Sequence, residues 1–245
     1  MGTTALTEMA ETKRASNRSI RAPLALAAGL LAAVFAFLHL GSEMGEGETR
    51  AFDSWLLLAL RHPIDLNDPI GPAGLKSAML DLTSLGSTAV LTLVTILVIG
   101  LVMIRRNWRS ALFIAAATGG GALLSALLKI DYARPRPTLV SHLVDVSSAS
   151  FPSGHAINSA IVYLTLGLLG ARAVPDALAR RYIVGTAVLL TIIVGATRVY
   201  LGVHWPTDVL AGWCAGAAWA LLCWGVAEAM RTRGSPFSPD NAHSH

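Results

Sequence analysis

Six stretches of this chain each come close to the length and apolarity that a helix needs to cross a bilayer, and nothing else limits the fold so tightly. They cover roughly residues 22–40, 87–104, 111–128, 155–173, 182–198 and 207–230. A crossing helix takes about 20 predominantly apolar residues, and a helix satisfies its own backbone polar groups inside lipid. The expected fold is therefore all-α: a polytopic membrane protein with a six-transmembrane-helix bundle over residues 22–230. Polar tails at 1–21 and 231–245 read as flexible and cytoplasmic. Only 14% of residues are charged and 53% are hydrophobic, with a mean hydropathy of +0.56, whereas soluble domains carry about 25% charged residues. That shortage excludes an ordinary water-soluble domain. The net charge of +4 is dispersed in short clusters between apolar runs, which is no footprint for nucleic acid. Cys214 and Cys223 share one apolar run, too far apart along a common helix to bridge, so no disulfide framework is expected. The first run has a long preceding segment and no small-residue cleavage site before Gly41, and is read as a retained span rather than a signal peptide.

Basic residues orient the bundle. With the tail bearing Lys13, Arg14, Arg18 and Arg21 in the cytoplasm, three other basic segments share its side. These are the loop with Arg105, Arg106 and Arg109, the loop with Arg172, Arg180 and Arg181, and the tail with Arg231 and Arg233. This is the positive-inside pattern, in the style of a small bacterial inner-membrane protein. The opposite face holds Glu43, Glu46, Glu48 and Asp53, yet also Lys129, Arg134, Arg136 and Arg198. Cations placed against the orientation signal point to an anionic ligand. The short run 52–61 cannot cross. It is read either as an interfacial helix that Asp53 could cap or as a buried connecting helix. Gly119–Gly121 and Gly212 to Gly216 would permit close helix approach.

Three segments share that opposite face: Lys129 to Pro137, Phe151 to His155, and Thr197 to Asp208. Lys129, Arg136 and Arg198 offer converging donors and fixed positive charge, suited to phosphate and its transition-state oxygens. Ser153 and Gly154 precede a span, so a hydroxyl and free backbone N–H groups form an anion site, and Gly154 lets backbone approach closely. Asp208 stands four residues after His204, within reach of its imidazole, able to fix the tautomer and support positive charge. Pro206 suits a first helical turn and leaves His204 just before the helix proper. His155 is a second imidazole, able to protonate a leaving alkoxide. Taken singly, each has a plainer explanation: an interfacial histidine, a snorkelling lysine, a helix cap, a stiff Arg-Pro loop. Those explanations do not account for two histidines, an aspartate and three cations gathered on one face.

The segments resemble the three signature motifs of the type 2 phosphatidic-acid phosphatase superfamily, which also includes glucose-6-phosphatase, bacterial acid phosphatases and vanadium haloperoxidases. That pattern is Lys, six residues, Arg-Pro; then Pro-Ser-Gly-His; then Ser-Arg, five residues, His, three residues, Asp. Lys129 to Arg136-Pro137, Pro152 to His155, and Arg198 to His204 to Asp208 match in type and spacing. Thr197 stands where Ser is usual and keeps the hydroxyl. The resemblance covers roughly residues 53–230. It implies that His204 is the nucleophile, forming a phosphohistidine, with Asp208 as its orienting partner and His155 as the general acid. Lys129, Arg136, Ser153, Gly154 and Arg198 would hold the phosphoryl oxygens. No metal or other cofactor is implied, and no acidic cluster suits Mg²⁺. Arg134 does not fit the motif spacing and is assigned to a second phosphate or the lipid headgroup.

The activity so implied is a metal-independent phosphatase acting at the outer, periplasmic interface on a membrane lipid phosphate or pyrophosphate. Undecaprenyl pyrophosphate, phosphatidylglycerol phosphate, phosphatidic acid and lipid A phosphates all fit. The partners are that lipid and the bilayer, with no nucleic acid, and nothing bears on oligomeric state. A lipid phosphotransferase would need an acceptor lipid. A vanadate-dependent haloperoxidase is typically soluble and larger, unlike this chain. A non-catalytic lipid binder would have no use for the His204–Asp208 pair.

Overall fold

The computed structural model describes residues 2–132, 134–146 and 148–232, with the backbone alone for 2–22, 131 and 232. It contains nine α-helices among these residues: α1 (Gly2–Glu46), α2 (Arg50–Ala59), α3 (Leu75–Thr83), α4 (Thr88–Ile104), α5 (Trp108–Asp131), α6 (Gly154–Ser159), α7 (Thr165–Arg172), α8 (Ala177–Tyr200) and α9 (Pro206–Thr232). The 3₁₀ turn Ser84–Gly86 links α3 to α4, and the π turn Ala160–Leu164 links α6 to α7. An isolated bridge between Arg61 and Pro69 is the only β-pairing among the described residues.

Local chemistry sets the helix boundaries. Ser87 Oγ accepts from the Val90 N–H at 3.3 Å, Asn107 Oδ1 from Ser110 at 3.1 Å, and Asp176 Oδ2 from Ala179 at 2.6 Å. Each side chain satisfies an amide that the first turn leaves without a partner. Five helices or helix runs among the described residues are long and apolar enough to cross a membrane: Pro23–Glu46 of α1, Trp108–Ile130 of α5, Gly154–Arg172, α8 and Pro206–Arg231 of α9. A sixth arises when Leu75–Gly86 and Thr88–Ile104, bent by 51°, are taken as one broken span.

Two boundaries differ from the sequence expectation. The second span was placed at residues 87–104, which is α4 with its Ser87 cap; taken as a broken span it also includes α3, which begins twelve residues before Ser87. Asp81 and Lys76 lower the hydropathy there. The first helix begins at Gly2 instead of after a polar tail. Residues 3–20 are rich in Ala, Leu, Met, Glu, Lys and Arg, all good helix formers, with neither Gly nor Pro among them. Pro23 lies inside α1, where its missing N–H removes one intrahelical bond. The C-terminal tail from residue 233 lies outside the described residues.

α9 runs through the centre, packed against α1, α6, the π turn and α8. The α6 contact is backbone-close because of two glycines. A Cβ on Gly212 would sit 2.9 Å from Ala156 Cβ, and one on Gly216 would sit 2.4 Å from Ala160 Cβ. Leu31, Phe35, Leu97 and Leu189 are exposed, as expected of helices facing hydrocarbon. The polar groups are distributed the other way. Asp53, Arg61, Ser150, Ser153, Thr197, Arg198, His204, Thr207 and Asp208 are buried together at one end of the bundle.

Candidate active site

That end is built from the C-termini of α5 and α8, the N-termini of α6 and α9, the loop 132–153, and α2. His204 precedes α9, as Pro206 required. Its imidazole is buried, with Nδ1 3.4 Å from Asp208 Oδ2. Nε2 lies 3.3 Å from Arg136 Nη1. A guanidinium can only donate, so Nε2 acts as the acceptor and Nδ1 carries the hydrogen toward Asp208. This tautomer leaves a lone pair on Nε2. Burial pushes the His204 imidazole down to about 4, against the pull of Asp208 and with the help of Arg136 and Arg198. It is therefore neutral near pH 7 and nucleophilic in form.

Asp208 is itself held on all sides. Its Oδ2 accepts from Ser150 Oγ and from the Trp205 N–H at 2.9 Å, and Oδ1 accepts from Arg134 Nη1 at 2.5 Å. The bond to Trp205 is the reach-back of a third helical residue to the residue before the helix. One carboxylate thereby caps α9 and faces the histidine.

The expected phosphate ligands converge on this corner. Arg136 donates from Nε to the Ser148 carbonyl at 2.8 Å and from Nη1 to the Val203 carbonyl at 2.5 Å. Lys129 Nζ donates to Ser148 Oγ at 3.0 Å, and a Cβ on Gly154 would approach Lys129 Nζ to 3.3 Å. Gly154 is thus the residue that lets the lysine lie over the start of α6. Arg198 Nη1 donates to Thr83 Oγ1 at 3.1 Å. Arg198 Nε and Ser153 Oγ are buried polar atoms with no protein partner. Two such orphans beside fixed cations fit an anion that would satisfy them. Ser153 N donates to the Asp208 carbonyl at 3.0 Å, tying the second motif to the third. His155 has Arg198, His204, Lys129 and Arg136 within electrostatic reach, and its ring packs where a Cβ on Gly86 would come within 3.0 Å of Cδ2.

The structure corrects two assignments. Arg134, assigned to a second phosphate or headgroup, is instead 8% exposed and engaged by carboxylates on both sides. Its Nη1 meets Asp208 Oδ1 and Thr207 Oγ1, and its Nη2 meets Asp53 Oδ2 at 2.6 Å and Thr49 Oγ1 at 3.2 Å. Asp53 does not cap its own helix. Its Oδ1 accepts the Thr207 N–H at 2.9 Å, so it caps α9 from a different part of the chain. On α2 the two readings of the sequence merge: Asp53 and Leu57 face inward and are fully buried, while Phe52 and Trp55 are 44% and 65% exposed.

Residues the motifs did not reveal are Thr83, Ser148, Ser150 and Thr207. They are small hydroxyl side chains within Ser- and Thr-containing stretches, and carry no spacing signal. Asp53 did leave one: an acid four residues before Leu57 on the same face of a short apolar helix.

A family model described as the PAP2 superfamily matches residues 110–231, which include all three motifs. The chain is similar to phosphatidylglycerophosphatase B of Bacillus subtilis (strain 168), 35% identical over 161 residues, or 64% of this chain and 77% of that protein. It is also similar to an undecaprenyl-diphosphatase of Sulfolobus acidocaldarius, 38% identical over 68 residues, which cover 28% of this chain and 29% of that protein. Among solved structures it resembles a transmembrane PAP2-type phosphatidylglycerolphosphate phosphatase from Bacillus subtilis. There the TM-score is 0.70 and the identity 29%, over 82% of this chain and 96% of that one.

Proposed function

The chain belongs to the PAP2 superfamily, and on that premise we propose that this membrane lipid phosphatase works through a covalent phosphohistidine on His204, without a metal. The observation that carries the proposal is the Nε2 lone pair of a buried, neutral imidazole, turned toward Arg136 among the cations and backed by a carboxylate.

In this reading the phosphoryl oxygens lie against Lys129, Arg136 and Arg198, the Ser153 hydroxyl and the Gly154 N–H. These fixed charges and donors stabilise the negative charge of the transition state. His204 Nε2 attacks phosphorus as the P–O bond to the leaving group breaks, and His155 gives that oxygen its proton. Positive charge develops on His204 and is met by Asp208 through Nδ1–H. Water then attacks the phosphohistidine, His155 takes its proton, the P–N bond breaks, and inorganic phosphate leaves. The cluster of cations provides the charge neutralisation that a metal provides elsewhere. Among the described residues no group of three or more His, Cys, Asp or Glu is placed to hold a metal ion.

The substrate proposed first is a phosphatidylglycerol phosphate, the lipid named for the relative that aligns over most of its length. A prenyl pyrophosphate such as undecaprenyl pyrophosphate is the alternative. The site would face the periplasm of a bacterial inner membrane, since the basic loops lie at the other end of the bundle. Phosphate release across a panel of lipid phosphates and pyrophosphates in detergent ranks the substrates. Radiolabelled lipid and rapid quenching test the mechanism. His204→Ala is expected to abolish turnover and acid-labile labelling together. His155→Ala should slow a lipid monophosphate by roughly 10²–10⁴, the span of general-acid catalysis, and slow an activated aryl phosphate much less. A phosphoenzyme in His204→Ala, or equal losses on both substrates in His155→Ala, would refute these roles.

A further inference from the structure

We propose that Asp53 is a positioning residue for this reaction: from α2 it fixes Arg134, and through Arg134 the Asp208 carboxylate that aligns His204. This rests on the reading of His204 as nucleophile, and it assigns a role to a helix outside the residues 110–231 that match the family.

Asp53 is fully buried. Its carboxylate accepts from the Thr207 N–H at 2.9 Å, the Thr207 hydroxyl at 2.7 Å and Arg134 Nη2 at 2.6 Å. The other terminal nitrogen of the same guanidinium, Nη1, donates to Asp208 Oδ1 at 2.5 Å. A planar fork joins two carboxylates that would otherwise repel, and a lysine ammonium could not present that geometry. Holding Asp208 by Oδ1 leaves Oδ2 turned to Ser150, Trp205 N and His204 Nδ1. A purely structural ion pair would have no reason to end on the carboxylate that faces the imidazole.

The charge sequence matters as much as the geometry. Asp53, Arg134 and Asp208 sum to one negative charge beside the histidine that becomes positive during phosphoryl transfer. Neutralising Asp53 leaves Arg134 and Asp208 to cancel, so His204 loses electrostatic support in the transition state while the phosphate ligands are untouched. The defect should therefore fall on kcat.

Three variants test this in detergent-solubilised full-length protein: Asp53→Asn, Arg134→Gln, and both together. Asp53→Asn is expected to lower kcat on the order of 10²-fold, as small misplacements of catalytic groups do, with KM little changed. The double variant should fall well short of the product of the two single losses, because the larger part of Asp53's effect passes through that arginine and only its cap on Thr207 is independent of it. A second readout does not need turnover: the NMR titration of the His204 imidazole, identified by its loss in His204→Gln. The groups facing it are Asp208 on α9, Arg136 and Ser150 on the loop, His155 on α6 and Arg198 on α8. None of these is altered by Asp53→Asn, so its midpoint should move to lower pH as the negative charge behind Arg134 and Asp208 is lost.

A kcat within error of wild type, a loss carried by KM, additive losses in the double variant, or a kcat loss with an unmoved His204 titration would each overturn the assignment. If Asp53→Asn fails to fold, Thr49→Val removes another acceptor of Arg134 at constant volume, and should lower kcat several-fold at unchanged KM. An equal kcat would overturn the proposal there too. A wild-type protein that releases no phosphate, while Asp53→Asn still shifts the His204 titration, would sink the phosphatase reading and leave the positioning role standing.

Discussion

Replacing Gly216 with alanine should reverse the usual sign of a glycine-to-alanine change in a helix. In an open helix position that change gains about 0.5–1 kcal/mol, because glycine gives up more conformational freedom. At Gly216 the new methyl would lie 2.4 Å from Ala160 Cβ and 2.8 Å from the Ile157 carbonyl oxygen. Non-bonded carbons rest about 3.5–4.0 Å apart, so α9 and the 154–172 span would have to separate by about 1 Å or more. The obstacles are backbone and a Cβ, neither of which can rotate away. Overpacking of this kind costs about 1–3 kcal/mol. It also acts on chemistry, because this interface carries Ser153 and His155 on one side and Asp208 on the other, joined by the Ser153–Asp208 backbone bond. A displacement of about 1 Å can lower turnover on the order of 10²-fold. Gly119 and Gly185, whose added Cβ would meet nothing within 4 Å, are the controls. Melting temperature by tryptophan fluorescence and initial rates, in one detergent, decide the matter. Gly216→Ala should be less stable and slower, while Gly119→Ala and Gly185→Ala should equal or exceed wild type in stability. A Gly216→Ala protein as stable and fast as wild type, or controls destabilised just as much, would refute the packing argument.

Activity should persist in EDTA and be blocked by vanadate, whose trigonal bipyramid imitates phosphoryl transfer beside a nucleophile; loss on chelation that Mg²⁺ restores would reject the metal-free route. His204 should also shape acid stability. Its folded value of about 4 lies below the ordinary 6.5, so unfolding takes up a proton between those values, and the contribution present above 6.5 is lost as pH falls toward 4. His204→Gln should flatten that part of the melting-temperature profile, and an unchanged slope would contradict a buried neutral imidazole. A cysteine at Ser235 should resist an impermeant thiol reagent applied outside intact cells, since both termini are expected in the cytoplasm.

Much of this architecture is legible from residue order because lipid imposes few solutions. Long apolar runs announce spans, and Pro206 announces where α9 starts. The spacing from Lys129 to Arg136 and from Arg198 to His204 to Asp208 brings the cations and the histidine to one corner. The bent second span was read short because Lys76 and Asp81 masked it. Arg134 was misread for a physical reason: an arginine two residues from an expected phosphate ligand looks like another ligand until its acidic partners are found. They are Asp53, 81 residues away, and Asp208, 74 residues away, pairings that only the tertiary fold makes. Ser150 and Thr83 escape notice because a hydroxyl's value depends on what it faces.

The cap on α9 has a consequence for how the protein comes into being. Trp205 has no side-chain oxygen with which to start that helix, and one of the two carboxylates that cap it belongs to a residue made 154 positions before Thr207. α9 is therefore synthesised after the group that completes its first turn. Until α2 meets α9, the Thr207 amide has no carboxylate from outside its own helix. A chain truncated to lack α2 would start α9 on the Asp208–Trp205 bond alone, with Arg134 holding one carboxylate instead of two.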